Sequence, residues 1–221
     1  MDNKEILKHI DHTLLKATSS WDGICKLCDE AVEYGTASVC VPPCYIKRIK
    51  ETYGDKVNIC TVIGFPLGYN TCETKVAEAK QAIAEGASEV DMVINLADVK
   101  NGDFEKVEKE IAALKAAAGD KILKVIIETC YLTEDEKIAM CKAVTNAGAD
   151  YIKTSTGFGT AGATIEDIEL FKKHIGPKVK MKAAGGVKSK ADLEMFLEAG
   201  CDRIGTSSAV KLLTGGEAGQ Y

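Results

Sequence analysis

The stretch NAGADYIKTS, residues 146–155, has the form of a helix end that is closed by glycine and leads into an apolar strand. The same form recurs in EYGTASVCV (33–41), AEGASEVDMV (84–93) and EAGCDRIGTS (198–207). Four more apolar runs, LKHIDHTLL, NICTVIGF, ILKVIIET and VKMKAAGG, bring the predicted strands to about eight, at intervals of roughly 20 to 33 residues. This rhythm predicts an α/β fold of the TIM-barrel type, a (β/α)8 barrel.

The length of the chain fits one domain. It has 221 residues, of which 46% are hydrophobic, and this suits a single α/β domain better than two small ones. We expect one domain over residues 1–221, ending in a flexible tail, GGEAGQY, at about residues 215–221. No apolar stretch has the length of a signal peptide or a membrane span, so we expect a cytoplasmic protein with no membrane partner.

The net charge of the chain indicates what kind of partner it binds. The formal net charge is -5, and the lysines are interspersed with acidic residues. A protein that binds nucleic acid through its phosphates needs a basic stripe, which this sequence lacks. We therefore expect a small-molecule substrate and no nucleic acid.

The nine cysteines are an odd number and are spread through predicted strands and helices. This distribution argues against a disulfide framework and for a reducing compartment. The spacing of Cys25 and Cys28, followed by Cys40 and Cys44, resembles a four-thiolate zinc pattern. Because the first pair lies in an amphipathic helical pattern and Cys40 lies in the next apolar strand, we favour buried thiols and no metal.

The four glycine-closed joints also fix which strand residues correspond. Counting five residues on from each glycine reaches Cys40, Asp91, Lys153 and Gly205. Strand side chains alternate between two faces, so equal offsets point to the same face, which we expect to be the barrel lumen. A charge in the lumen is costly unless it has a partner or a chemical role.

Lys182, in MKAAGG, is a second lysine inside an apolar strand, and it approaches Lys153 if the two strands are parallel neighbours. Two adjacent ammonium groups disfavour charging, which shifts the pKa of one amine towards neutrality and makes it a nucleophile. Such an amine forms a Schiff base with an aldehyde or a ketone. The alternative is that each lysine pairs with a carboxylate, Asp91 or Glu128, merely to fill the barrel.

The segment GFGTAG, which follows Lys153, matches the dinucleotide pattern G-x-G-x-x-G. A dinucleotide site also needs an acidic residue about 20 residues further on, where this chain has KAAGG. Anion binding is the better interpretation, because AAGGV and IGTSSAV place small residues where late strands lead into helices. Backbone amides there and at Gly157, with the hydroxyls of Ser207 and Ser208, would enclose a phosphate. The alternative is that the glycines only form tight turns.

Together, IDHTLL, ASVCVPP, VIGFPLG, EVDMVIN, YIKTSTGF, KAAGGV, RIGTSS and a terminal tyrosine resemble the deoxyribose-phosphate aldolase family, in order and over nearly the whole chain. The resemblance implies a metal-independent class I aldolase on a TIM barrel, with no cofactor. It implies reversible cleavage of 2-deoxy-D-ribose 5-phosphate to acetaldehyde and D-glyceraldehyde 3-phosphate, in deoxyribonucleotide catabolism. We also expect a homo-oligomer, with a dimer favoured.

The resemblance assigns roles to individual residues. Lys153 would form the Schiff base beside the cation Lys182, Asp91 would transfer protons through a water, and Tyr221 would exchange a proton at the acetaldehyde carbon. Thr13 and Cys40 match positions that line the substrate site. The phosphate would be held by Gly157, Gly185, Gly186, Gly205, Ser207 and Ser208.

One position departs from the family, because some relatives have a phosphate-binding lysine where this chain has Phe158. Two other functions remain open. Another lysine-dependent aldolase, acting on a 2-keto-3-deoxy acid, would need a cationic clamp for the carboxylate. A non-catalytic phosphate-binding barrel would need neither Asp91 nor Lys153 in the lumen.

Overall fold

The sheet of this protein closes on itself. The computed structural model describes residues 1–215, and within them the strands are Ile10–Thr13 (β1), Ser38–Val41 (β2), Ile59–Ile63 (β3), Glu89–Val93 (β4), Ile122–Ile126 (β5), Tyr151–Lys153 (β6), Lys180–Ala184 (β7) and Arg203–Thr206 (β8). Each strand is parallel to the next, and β8 pairs with β1. The predicted (β/α)8 TIM barrel is therefore confirmed.

Helices connect the strands and cover the outside of the barrel. In the described range they are Asn3–Leu7 (α1), Trp21–Tyr34 (α2), Ile46–Tyr53 (α3), Cys72–Ala84 (α4), Leu96–Lys100 (α5), Phe104–Ala118 (α6), Glu134–Asn146 (α7), Ile165–His174 (α8), Lys190–Ala199 (α9) and Ala209–Thr214 (α10). Three short 3-10 turns occur at Pro43–Tyr45, Gly54–Lys56 and Thr129–Tyr131. None of the helices in residues 1–215 is both long and apolar enough to cross a bilayer.

Local sequence signals determine where these helices begin and end. Thr133 and Glu136 form a capping box at the start of α7, each side chain accepting the other residue's backbone N–H. The four glycines of the joints, Gly35, Gly86, Gly148 and Gly200, all have positive φ, which ends each helix and turns the chain into the next strand. The joints therefore set the register of β2, β4, β6 and β8.

The strands bury two different faces. On β4, Val90 and Met92 face outward into the apolar core shared with the helices, whereas Glu89 and Asp91 face the lumen. Burial of one such apolar side chain contributes about 1.5–3 kcal/mol to folding, so the outer core supplies the stability that a charged lumen does not.

Candidate active site

Three successive layers of mostly polar side chains lie in the lumen, each drawn from alternate strands. The layer nearest the N-terminal ends of the strands holds Ser38, Glu89, Tyr151 and Arg203. The middle layer holds Asp11, Cys60, Lys124 and Lys182. The uppermost of the three, here called the mouth layer, holds Cys40, Asp91, Lys153 and Gly205. The five-residue offset from the glycine joints therefore identifies the mouth layer.

Asp91 lies at the centre of the charged network. Its Oδ2 atom accepts hydrogen bonds from Lys153 Nζ at 2.8 Å and from Lys182 Nζ at 2.7 Å. Its Oδ1 atom accepts from Lys124 Nζ at 2.9 Å. One buried carboxylate thus holds three ammonium groups, which is possible because each cation satisfies a different lone-pair direction.

Further ion pairs lie below Asp91. The Asp11 carboxylate pairs with Lys182 and accepts from Arg203 Nη1 at 2.6 Å and from the Ser38 hydroxyl at 2.8 Å. Glu89 accepts from both terminal nitrogens of Arg203, at 3.2 and 3.1 Å. Such bidentate pairs are among the stronger charge-assisted hydrogen bonds, so Arg203 is fixed in the lowest layer.

The network combines four cations with several buried carboxylates. Lys124, Lys153, Lys182 and Arg203 form ion pairs with Asp11, Glu89 and Asp91. A fourth buried carboxylate, Glu128, interacts electrostatically with Lys153 from the end of β5. Buried charges are costly unless they are paired, so these ion pairs hold the network together.

The pKa directions show where the charges stay. Burial by itself raises the pKa of Asp91, but Lys124, Lys153 and Lys182 outweigh it and hold that pKa well below its usual range. Burial lowers the pKa of Lys182, and the carboxylates of Asp11 and Asp91 outweigh this effect and raise it above its usual value. Lys182 is therefore held as a cation.

Lys153 differs from the other two lysines in its position. It is the last residue of β6 and is 3% exposed, whereas Lys124 and Lys182 are fully buried. Within the described residues it forms an ion pair with Asp91 alone, while each of the others pairs with more than one carboxylate. Lys153 is thus the lumen lysine nearest the mouth and the least tightly held.

The predicted proximity of the two lysines is confirmed, because Lys153 and Lys182 are Cα partners on the parallel neighbours β6 and β7. The pairing of lysines with a carboxylate, foreseen as the alternative, is also present through Asp91. Within the described residues, Glu128 forms no ion pair with either lysine. Its carboxylate binds Thr156 instead.

Two buried thiols lie beside Asp91. The ligand atoms of Cys40, Cys60 and Asp91 are within 4.8 Å of one another, and the Cys60 thiol donates to Asp91 Oδ1 at 3.2 Å. A hydrogen bond from Cys60 outweighs burial and lowers the pKa of the Cys40 thiol. Ammonium groups already occupy the cation positions around this carboxylate, so a metal ion would meet strong repulsion here.

The four-thiolate spacing does not produce a cluster in the described part of the chain. Cys28 belongs to the outer apolar core, Cys40 faces the lumen and Cys44 is exposed. Thiols on opposite sides of a sheet cannot share one tetrahedral ion.

The glycine-rich turns after β6 and β7 pack against each other. A Cβ atom added to Gly185 would lie 3.7 Å from Gly157 Cα, so these two residues adjoin. Gly186 follows and is exposed. Two neighbouring βα turns thus adjoin at one side of the barrel mouth. Barrels of this type frequently bind phosphate at the turns after strands 7 and 8, and one of these two turns follows β7.

The third predicted phosphate turn follows β8. Ser207 is exposed, while Ser208 is buried and its amide donates to Thr206 Oγ1 at 3.1 Å. Gly205 lies inside the strand, and a Cβ atom there would be 3.1 Å from Lys182 Cε. The absence of a side chain at Gly205 therefore makes room for Lys182.

Of the remaining predicted residues, Thr13 and Cys40 lie in the described part of the chain and Tyr221 does not. Thr13, at the end of β1, is the Cα partner of Cys40, and its hydroxyl donates to the Asp11 carbonyl at 2.7 Å. Both therefore belong to the same side of the lumen. Tyr221 and the tail from residue 216 lie outside the described residues.

Sequence reasoning missed Asp11, Glu89, Lys124 and Arg203, although three of them carry a signal. Counting three residues rather than five from the joint glycines reaches Glu89 and Arg203, one layer deeper. Counting five residues from Gly119, which ends α6 with a positive φ, reaches Lys124. Asp11 follows no such glycine and becomes evident only from its partners.

A closed barrel that carries a lysine and an aspartate near its mouth, with a second lysine held as a cation one layer below, defines an enzyme with a lysine-centred site. Enzymes of this class form a covalent bond between the lysine amine and the carbonyl carbon of a substrate. The chain belongs to the DeoC/LacD family of aldolases, whose family model matches residues 5–214. Aldolases are carbon–carbon lyases.

Individual relatives agree with this membership. The chain is 70% identical to a deoxyribose-phosphate aldolase of Clostridium botulinum (strain Alaska E43 / Type E3), with 100% of both chains covered. It is 61% identical to a deoxyribose-phosphate aldolase of Clostridioides difficile (strain 630), over 99% of this chain and 100% of that protein. The deoxyribose phosphate aldolase of Aeropyrum pernix, described as a unique tetrameric structure, superposes with a TM-score of 0.89 at 33% identity, covering 96% of this chain and 91% of that one.

Proposed function

We propose that this protein is a class I aldolase that reversibly cleaves 2-deoxy-D-ribose 5-phosphate to acetaldehyde and D-glyceraldehyde 3-phosphate. The observation that carries the proposal is the sharing of Asp91 Oδ2 by Lys153 and Lys182. One of these lysines is fixed as a cation, and the other lies at the mouth beside it. The reaction requires a nucleophilic amine that a carbonyl compound can reach, and Lys153 is the lumen lysine nearest the mouth.

The chemistry starts at the Lys153 amine. It adds to the aldehyde carbon C1 of the open-chain sugar, and loss of water gives an iminium ion. Removal of the proton from the C3 hydroxyl then breaks the C2–C3 bond, and its electron pair moves into the iminium to give an enamine. Protonation of the enamine at C2, followed by hydrolysis, releases acetaldehyde and restores the amine.

Asp91 is the proposed proton-transfer group, acting through a water. With Lys153 as an ammonium, three cations hold the pKa of Asp91 well below its usual range after offsetting burial. At the enamine stage the Lys153 nitrogen is neutral and Asp91 loses one of these cations. Its pKa then rises towards the usual value, so a proton taken from the C3 hydroxyl at the preceding iminium stage is retained and can pass through the water to C2 of the enamine.

The phosphate is proposed to bind at the turns after β6, β7 and β8, through Gly157, Gly185, Gly186, Ser207 and Ser208. Gly205 contributes to this side of the mouth mainly by making room for Lys182. Thr13 and Cys40, on β1 and β2 next to β8, are proposed to line the substrate site. Phe158 contacts Phe65 edge to face at 5.3 Å between ring centroids, so the position where some relatives have a lysine provides an apolar wall here.

Further properties are proposed with this function. Residues 1–221 form a single aldolase domain, and Tyr221 exchanges a proton at the acetaldehyde carbon. The enzyme needs neither a metal nor an organic cofactor, because the Lys153 iminium is the electron sink. It works in the cytoplasm, in deoxyribonucleotide catabolism, as a homo-oligomer for which a dimer is favoured.

A 2-keto-3-deoxy acid aldolase is the less favoured alternative. It needs a cation at the mouth to hold the substrate carboxylate, and Arg203, the one arginine in the lumen, is bound to Asp11 and Glu89 in the lowest layer. A non-catalytic phosphate-binding barrel does not require the contacts between Asp91 and Lys153.

Cleavage of 2-deoxy-D-ribose 5-phosphate by the purified protein tests the proposal. Release of D-glyceraldehyde 3-phosphate is followed by a coupled dehydrogenase assay. We expect turnover by the wild type and by Lys180→Met, an exposed lysine change on β7, but none by Lys153→Met. No turnover by the wild type, or undiminished turnover by Lys153→Met, would reject the proposal.

A further inference from the structure

Glu128 has an unusual backbone conformation directly after β5. With φ 51° and ψ 65°, it is the one non-glycine residue with a positive φ in the part of the chain that the structure describes. This conformation is strained for a residue with a side chain and persists where the surroundings enforce it. The side chain is 2% exposed, so contacts within the protein must enforce it.

The Glu128 carboxylate is occupied by a single residue of the next βα turn. Thr156 donates its backbone N–H to Oε1 at 3.1 Å and its hydroxyl to Oε2. The Thr156 hydroxyl in turn accepts from the Phe158 N–H at 3.0 Å. The two residues that flank Gly157 are therefore both connected to one buried carboxylate, and hydrogen bonds to an ionised acceptor are about twice as strong as neutral ones.

Two glycines of the GFGTAG segment allow the loop after β6 to lie against Glu128 and against the turn after β7. A Cβ atom on Gly159 would lie 2.8 Å from Cys130 Sγ and 3.1 Å from Glu128 Cδ. A Cβ atom on Gly162 would lie 2.4 Å from the Gly185 carbonyl carbon. The motif that resembles a nucleotide fingerprint therefore packs one loop between Glu128 and the β7 turn.

The backbone on either side of Glu128 is joined to the end of β6. The Ile127 N–H donates to the Lys153 carbonyl at 3.1 Å, and the Thr129 N–H donates to the Thr154 carbonyl at 2.9 Å. The side chain and the neighbouring amides of Glu128 thus hold one continuous segment, from Lys153 to Phe158.

We propose that Glu128 is a positioning residue for phosphate recognition: its carboxylate fixes the turn from Thr156 to Phe158 and so places the Gly157 amide at the phosphate. This inference rests on the proposed function, in which that amide binds the substrate phosphate. Both carboxylate oxygens are used by Thr156, so Glu128 acts through the loop and does not touch the reacting atoms.

A double-mutant cycle between Glu128 and Thr156 tests the proposal. Glu128→Gln keeps the size of the side chain but presents an NH2 group to the Thr156 hydroxyl, and Thr156→Val removes only that hydroxyl. The KM and kcat of each variant are measured with 2-deoxy-D-ribose 5-phosphate and with 2-deoxy-D-ribose. Thr156→Ser is the conservative variant, and Thr160→Val changes an exposed residue of the same loop.

We expect each of Glu128→Gln and Thr156→Val to raise KM for the phosphorylated sugar about tenfold, with kcat/KM for 2-deoxy-D-ribose changed less than about twofold. The double variant should lose no more than either single variant, because both remove one interaction. Thr156→Ser and Thr160→Val should behave as the wild type.

Three results would overturn the proposal. Equal losses on both sugars would show a general structural role, and additive losses would show that the two residues act separately. An unchanged KM in a folded Thr156→Val would exclude the contact even if Glu128→Gln failed to fold. Wild-type cleavage of the phosphorylated sugar tests the proposed function separately, and its absence would reject both.

Discussion

Lys153 and Lys182 are Cα partners on adjacent parallel strands, and both ammonium groups contact the same oxygen of Asp91. This relationship places two residues of one type in different surroundings. Lys182 also pairs with Asp11 in full burial and is held as a cation, whereas Lys153 has Asp91 alone and lies next to the mouth. Lys153 is therefore the lysine of this pair that a carbonyl compound entering the mouth reaches first.

Removing the central carboxylate should affect both folding and turnover. Asp91→Asn leaves three buried ammonium groups without their shared partner, and loss of one member of a buried ion pair costs about 3–5 kcal/mol. We expect a loss of that order in the free energy of unfolding in urea and a fall in kcat of about 100-fold or more. Asp55→Asn, at a 97% exposed side chain, is the control and should change neither. Stability and turnover equal to the wild type would show that the network does not depend on Asp91.

Acid should destabilise the protein through the same carboxylates. Neighbouring cations outweigh burial and hold the pKa values of Asp11 and Asp91 below the ordinary value. A depressed pKa contributes stability that is fully present above the unfolded-state pKa of about 3.9 and is lost as pH falls further towards the folded-state pKa.

We therefore expect the urea midpoint to fall progressively below about pH 4. The fall should be smaller in Asp11→Asn. This variant is less stable at neutral pH, but it has one fewer carboxyl group with a depressed pKa. Parallel curves for the two proteins below pH 4 would contradict the pKa assignment for Asp11.

The proposed phosphate site can be tested by adding a negative charge to the turn after β8. Ser207→Asp places a carboxylate at an exposed position of that turn, where it would repel a phosphate dianion. We expect KM for 2-deoxy-D-ribose 5-phosphate to rise about tenfold or more, with KM for 2-deoxy-D-ribose nearly unchanged. Gln81→Glu, which adds the same charge at an exposed position of α4, should change neither value. A similar rise for both sugars would place the phosphate elsewhere.

Chelation distinguishes the amine mechanism from metal catalysis. If the Lys153 iminium is the electron sink, exhaustive dialysis against EDTA should leave kcat unchanged. Activity that disappears with EDTA and returns with zinc would instead make the pair of lumen thiols, Cys40 and Cys60, the candidate ligands.

The sequence predicts the mouth layer well because its register is local. The glycine that ends a helix fixes where the next strand begins, so a constant offset from Gly86 and Gly148 identifies Asp91 and Lys153. The same rule, applied from Gly119, reaches Lys124.

Other contacts in the structure cannot be predicted from a periodic pattern in the sequence. The binding of Glu128 to Thr156 depends on a left-handed residue after β5, and no pattern of apolar residues encodes that conformation. The contact of Phe158 with Phe65 depends likewise on how two long loops fold over the mouth. Such contacts are set by tertiary packing, which single-sequence patterns do not contain.

The most direct test is to trap the imine. Acetaldehyde and borohydride are added to the wild type, and the modified lysine is located by peptide mass spectrometry. We expect a reduced two-carbon adduct on Lys153, with Lys182 and Lys124 unmodified, because the buried cations do not present a free amine. An adduct on Lys182 with Lys153 untouched would contradict the account by exchanging the roles of the two lysines.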